Sequence, residues 1–110
     1  MNDRTARVMP IVVVLPAEID VTNSGQVYEQ LVAVLAPGVD TVVADMMSTT
    51  FCDSSGVHAI IHAYESADER GVSLRLAVSE NTSVRRVLQL IGVGRLMPVY
   101  DNLQEALEAF

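Results

Sequence analysis

Short β-branched runs alternate with stretches of helical period along this chain, and polar caps, prolines or glycines mark most of the changes. "IVVVLP" is bounded by prolines and reads as a strand. "DVTNSG" offers several N-cap residues, and "QVYEQLVAVLAPG" then places Val27, Leu31, Val34 and Leu35 at helical spacing until Pro37-Gly38 stops it. "DTVVADM" suits a strand buried on both faces. A second helix starts at Ser54, with Val57, Ile60, Ile61, Tyr64 and Ala67 as its core stripe and Gly71 at its end. "VSLRLAV" alternates as a strand. "NTSVRRVLQLIG" is a third, capped helix closed by Gly92, and "LMPVY" is a short strand. "DNLQEALEAF" opens with an acidic cap and forms a fourth helix. Strands alternating with helices predict an α/β fold, with the helices packed on a mostly parallel sheet. Its site is expected at the carboxyl edge of the strands, near which Asp20, Asp45 and the Asp53-Ser54-Ser55 turn could all lie.

The 110 residues suffice for one domain, 1–110, with 1–9 read as a flexible N-terminal stretch. Half the residues are hydrophobic, which argues against disorder. No apolar run approaches the roughly 20 residues that span a bilayer. The N-terminus does not resemble a signal peptide, and a single cysteine excludes an internal disulfide, which fits a reducing cytoplasm. The formal net charge is −7 and all seven basic residues are arginines. That field repels phosphate backbones, so nucleic acid and anionic membrane are poor partners and a basic or mixed protein surface is a better one.

The segment "TFCDSSGVHAIIH", residues 50–62, admits several uses. In the plainest, Asp53, Ser54 or Ser55 caps the helix and Gly56 lets its backbone pack closely. A hydrolase nucleophile would need a G-x-S-x-G elbow, whereas the local pattern is C-D-S-S-G, and His58 and His62 share a helix with Ser54. His58 and His62 at i and i+4, with Glu65 and Glu69 on the same flank, could hold a metal only with further ligands; the same residues suit a solvated face. A regulatory phosphosite is the remaining use. A phosphoserine at a helix N-terminus is compatible with the helix dipole, and it would add nearly two negative charges beside Asp53.

Taken in order and spacing, "PAEIDVTNSGQVYEQL", "TVVADMMSTTFCDSSGVHAII" and "VSLRLAVSENTSVRRVLQLIGVGRLMPVYDNLQEAL" resemble the STAS domain of bacterial anti-sigma factor antagonists, over nearly the whole chain from about Ile11. The resemblance implies a mixed, mostly parallel β-sheet of four to five strands flanked by about four helices. It implies a non-enzymatic switch without a cofactor of its own, which binds an anti-sigma factor that is also an ATP-dependent serine kinase and so releases a sigma factor. The kinase phosphorylates the first serine of the family's D-S-S-G motif, abolishing binding, and a PP2C-type phosphatase restores it. That serine matches Ser54. The partner face implied by the match comprises Glu18, Asp20, Thr22, Asn23, Asp53, Ser54, Ser55, Gly56 and His58, on a monomer or weak homodimer. A different use of the same domain is binding of a scaffold protein or a small anionic or nucleotide ligand, with no phosphorylation cycle. Ala17 stands where the family has glycine, Cys52 where it has a larger apolar residue, and His58 where it has a small one. Cys52 is expected to be a buried small hydrophobe rather than a redox sensor. His58 is the departure that bears most on partner choice.

Overall fold

The computed structural model describes residues 10–109; the stretch 1–9, expected to be flexible, lies outside the described residues. In chain order the elements are β1 (Ile11–Val14), β2 (Glu18–Ile19), α1 (Ser24–Val32), β3 (Thr41–Asp45), β4 (Phe51–Cys52), α2 (Ser54–Glu69), β5 (Ser73–Ala77), α3 (Ser83–Ile91), a 3-10 turn (Val93–Arg95), β6 (Val99–Tyr100) and α4 (Leu103–Glu108). The main sheet has four strands in the order β1-β3-β5-β6, and β2 and β4 form a separate two-stranded sheet. Every strand pairing among the described residues is parallel. The described residues therefore form a single α/β domain with four helices, as the alternation in the sequence predicts.

Two cores follow from the alternation of side chains along the strands. One face of the sheet, with Val13, Val42, Ala44, Leu74 and Leu76, packs beneath apolar residues of α1, α2 and α3, including Leu31, Val57, Ile60 and Leu88. The other face, with Val43 and Ala77, packs on Ala106, Leu103 and Leu107 of α4. Buried Arg75 lies on this second face and donates from Nη1 to the Ala106 carbonyl oxygen at 2.8 Å, near the carboxyl end of α4. There the cation meets the negative pole of the helix.

The helices begin where expected, with local differences. Helix α1 ends at Val32, so Val34 and Leu35 are not part of it. They remain partly buried against the core from a turn in which Leu35 N–H donates to Val32 O at 3.1 Å. Pro37 disfavours helical geometry at the residue before it, so the helix cannot carry its apolar period up to Ala36. Gly92, with φ 87°, closes α3 in the left-handed conformation, and Gly71, with φ 72°, follows α2. The expected acidic cap of α4 is replaced by Asn102, whose side chain accepts from Glu105 N–H at 2.8 Å. Asp101 instead pairs with Arg85 at 3.1 Å, and the same guanidinium donates to Val78 O at 2.8 Å. Arg85 is thus engaged within the fold, while Arg86 and Arg95 are exposed.

Candidate functional site

Two short segments, distant in sequence, meet in the β2–β4 sheet. Its parallel register sets Glu18 beside Phe51 and Ile19 beside Cys52. Asp53 N–H then donates to Ile19 O at 3.2 Å, so Asp20 and Asp53 leave the paired strands at the same end. The approach is held by polar contacts upstream. Thr49 Oγ1 donates to Pro16 O at 2.9 Å, and Thr50 N–H donates to Ala17 O at 2.8 Å. Ala17 is not among the residues with positive φ. The position therefore requires no glycine, and the alanine costs the turn nothing in backbone strain.

The loop from Asp20 to Asn23 is a hydrogen-bonded unit. The Asp20 carboxylate accepts from Thr22 N–H at 2.8 Å and from the Thr22 hydroxyl. These two bonds, with a weaker one from Asn23, hold its carboxyl below the usual carboxylate range, so it is charged throughout the physiological range. Asn23 occupies the N-cap position of α1 without capping it. Its side chain reaches back instead, accepting from Asp20 N–H at 2.9 Å and donating to Glu18 O at 2.8 Å. Thr22 and Asn23 therefore fix the path of β2, and with it the position of the Asp20 carboxylate.

The D-S-S-G turn is built as an N-terminus. Asp53 is the N-cap of α2, and its carboxylate accepts from Gly56 N–H at 3.2 Å. Gly56 is buried against the small sheet: a Cβ there would lie 2.6 Å from Ile19 Cγ2 and 2.7 Å from Cys52 Sγ. This close approach seats the first turn of α2 on β2 and β4. It leaves Ser54 exposed, Ser55 half-buried, and Asp53 half-buried between them and the sheet. Ser54 is the first helical residue, where the helix dipole is positive and first-turn N–H groups lack helical acceptors. His58, four residues on, is exposed on the same flank of the helix. Asp20 and Asp53 thus lie side by side where the strands end, with Ser54 following Asp53, while Glu18 and Phe51 pair at the start of the same strands. Asp45 does not join them through its side chain, which accepts from Met47 N–H at 2.9 Å at the end of β3.

Cys52 is 3% exposed, and burial, reinforced by the Asp53 charge, pushes its thiol up to about 11. It behaves as a small hydrophobe. Native protein at pH 8 is expected to resist thiol-directed reagents and to react at once when unfolded. Because the folded-state value is raised, the neutral thiol stabilises the fold fully below pH 9, and this contribution is lost between about pH 9 and 11. Cys52→Ala should flatten stability over that window; an unchanged alkaline slope would show that the thiol is not its source. His62, Glu65 and Glu69 line an open groove of about 320 Å³ with Tyr28 and Ser66. Among the described residues no three histidine, cysteine or acidic side chains are close enough together to hold a metal ion. No described helix is long and apolar enough to cross a membrane.

Sequence reasoning does not single out Phe51, the largest exposed apolar side chain of this region, at 49% exposure. A phenylalanine before a buried cysteine reads as core, and only the pairing of two-residue strands shows that it faces outward.

The comparisons with known proteins agree with this architecture. The sequence matches the STAS domain family over residues 2–106. It is 30% identical over 98 residues to the anti-sigma F factor antagonist of Paenibacillus polymyxa, covering 88% of this chain and 83% of that protein. The crystal structure of an anti-sigma factor antagonist from Mycobacterium paratuberculosis superposes with a TM-score of 0.79 at 24% identity, covering 93% of this chain and 86% of that one. The phosphorylated form of the Bacillus cell fate determinant SpoIIAA superposes with a TM-score of 0.56 at 23% identity, covering 82% and 81% respectively. With this fold, and with a family match over nearly its full length, the chain belongs to the STAS domain family.

Proposed function

We propose that this protein is an anti-sigma factor antagonist. Its unmodified form binds an anti-sigma factor that is also a serine kinase and frees the sigma factor held there; phosphorylation of Ser54 ends the binding. The observation that supports this reading is exposed Ser54 at the head of α2, directly after Asp53, whose N–H bond to Ile19 O sets it next to the Asp20 loop. The 30% identity to the Paenibacillus polymyxa antagonist supports the partner class. The phosphorylated state of the more distant SpoIIAA supports modification as the control.

The chemistry follows from the surroundings of the serine. A kinase can reach the Ser54 hydroxyl without unfolding the turn. The dianion it leaves is tolerated by the helix N-terminus, so α2 stays folded. Phosphorylation therefore acts on binding and not on folding: it places like charge against the carboxylates that attract a basic partner. The chain itself performs no catalysis in this scheme. Mg-ATP belongs to the kinase, and a PP2C-type phosphatase resets the switch, all in the cytoplasm. Asp53 and Gly56 set the turn, Asp20 and Glu18 supply charge, Thr22 and Asn23 hold Asp20 in place, and Ser55 and His58 border the serine.

The test is release of the sigma factor. Unphosphorylated protein, added to each complex of sigma factor and anti-sigma factor kinase encoded in the same genome, is expected to displace sigma from one of them by native mass spectrometry. Failure to bind or displace in every complex would contradict the proposal.

A further inference from the structure

We infer that Glu18 and Phe51 together form an arginine-reading anchor on the outer face of the β2–β4 sheet, through which the protein selects its anti-sigma factor. This rests on the partner class proposed above, and it adds a residue and a chemistry to that interface. In the parallel register Glu18 and Phe51 are direct partners. Their side chains therefore leave the same face of neighbouring strands about 4.8 Å apart. Their neighbours Ile19 and Cys52 point the other way, with 0% and 3% exposure, so the outward direction of the first pair is fixed by the core. The result is a half-exposed phenyl ring alongside an exposed carboxylate.

A ring left half in water beside an acidic side chain suits a flat cation. A guanidinium can present its edge to the carboxylate in a bidentate pair and lay its face on the ring. A lysine ammonium is a more strongly hydrated point charge and lacks the planar fork that fits both groups together. Among the described residues no basic side chain pairs with Glu18; the ion pair seen there is between Arg85 and Asp101, on the α3 side. With a net charge of −7 the chain attracts a basic surface. The anchor is also continuous with the switch. Phe51 lies three residues before Ser54, and Glu18 two before Asp20, whose carboxylate is charged and pinned by Thr22. Aromatic side chains at the middle of such a patch commonly dominate binding.

The experiment measures affinity for the anti-sigma factor that binds the wild type, using Phe51→Ala, Phe51→Tyr, Phe51→Leu, Glu18→Gln and the pair Glu18→Gln/Phe51→Ala. Phe51→Ala is expected to weaken binding about tenfold or more, with the melting temperature retained. Phe51→Tyr keeps the ring face and should remain within about threefold, whereas Phe51→Leu keeps apolar bulk alone and should lose at least about threefold. The double variant should lose less than the product of the single losses, because one arginine reads both groups. Phe51→Leu binding as tightly as wild type would replace the arginine anchor by plain apolar contact and overturn the inference. Phe51→Ala binding like wild type, while phosphorylated wild type is still excluded, would overturn the anchor and leave the switch standing. A wild type that binds no anti-sigma factor would overturn both.

Discussion

Phosphorylation of Ser54 is expected to weaken binding to the anti-sigma factor by a factor of about one hundred or more, while Ser54→Ala binds within a few-fold of wild type. The asymmetry comes from the site. Ser54 is exposed, so its hydroxyl is dispensable to the fold, and alanine removes only a small polar group from a helix start. A phosphate adds nearly two charges where Asp53 and Asp20 already make the surface negative, and a partner covering the turn would have to bury them without compensation. Ser54→Asp adds one charge and should fall between the two. The phosphorylated protein should retain its melting temperature, because the new charge sits at the positive end of α2. Equal affinity of Ser54→Ala and Ser54→Asp would sink expulsion by charge, and a large drop in melting temperature on phosphorylation would point to melting of the turn.

Gly56→Ala is the second large effect, and it acts on the fold. The added methyl would lie 2.6 Å from Ile19 Cγ2, 3.2 Å from Ile19 Cβ and 2.7 Å from Cys52 Sγ. Ile19 is wholly buried and β-branched, so it cannot swing aside. Alanine is ordinarily the better helix former by about 1 kcal/mol, but overpacking should win, for a net loss of about 1–3 kcal/mol. For a domain of this size that lowers the melting temperature by roughly 5–15 °C. Cys52→Ala, which removes the Sγ atom 2.7 Å away, should restore part of the loss when combined with Gly56→Ala. A Gly56→Ala variant as stable as wild type would mean that α2 can lift from the small sheet at little cost. The seating of Ser54 would then be far looser than described.

Both effects show where sequence is informative. The order of helices and principal strands is legible because β-branched runs and 3.6-residue periods recur over five or more residues, with caps and glycines between them. The glycine of D-S-S-G is legible as a close-packing position, and the structure names what it packs on. Less legible are features set by tertiary pairing. Glu18–Ile19 and Phe51–Cys52 are too short for any period, and their pairing is what turns two acidic segments into one site. The end of α1 at Val32 is hidden because Val34 and Leu35 keep the apolar period while the chain already turns toward Pro37. Asn23 looks like a cap from its neighbours and is used instead to pin β2 to the Asp20 loop. Asp101 looks like a cap and is drawn off by Arg85, sixteen residues earlier in α3. For Asn23 and Asp101 a side chain has two satisfactory partners, and the choice depends on which strand or helix lies within reach.

The decisive measurement is phosphate transfer from Mg-ATP by the anti-sigma factor kinase that binds this protein, followed by intact mass and peptide mapping of wild type and Ser54→Ala. One added phosphate on Ser54, absent from the alanine variant and accompanied by loss of the complex, is the expected result. Tight binding without transfer, or a phosphate on another residue, would contradict the switch.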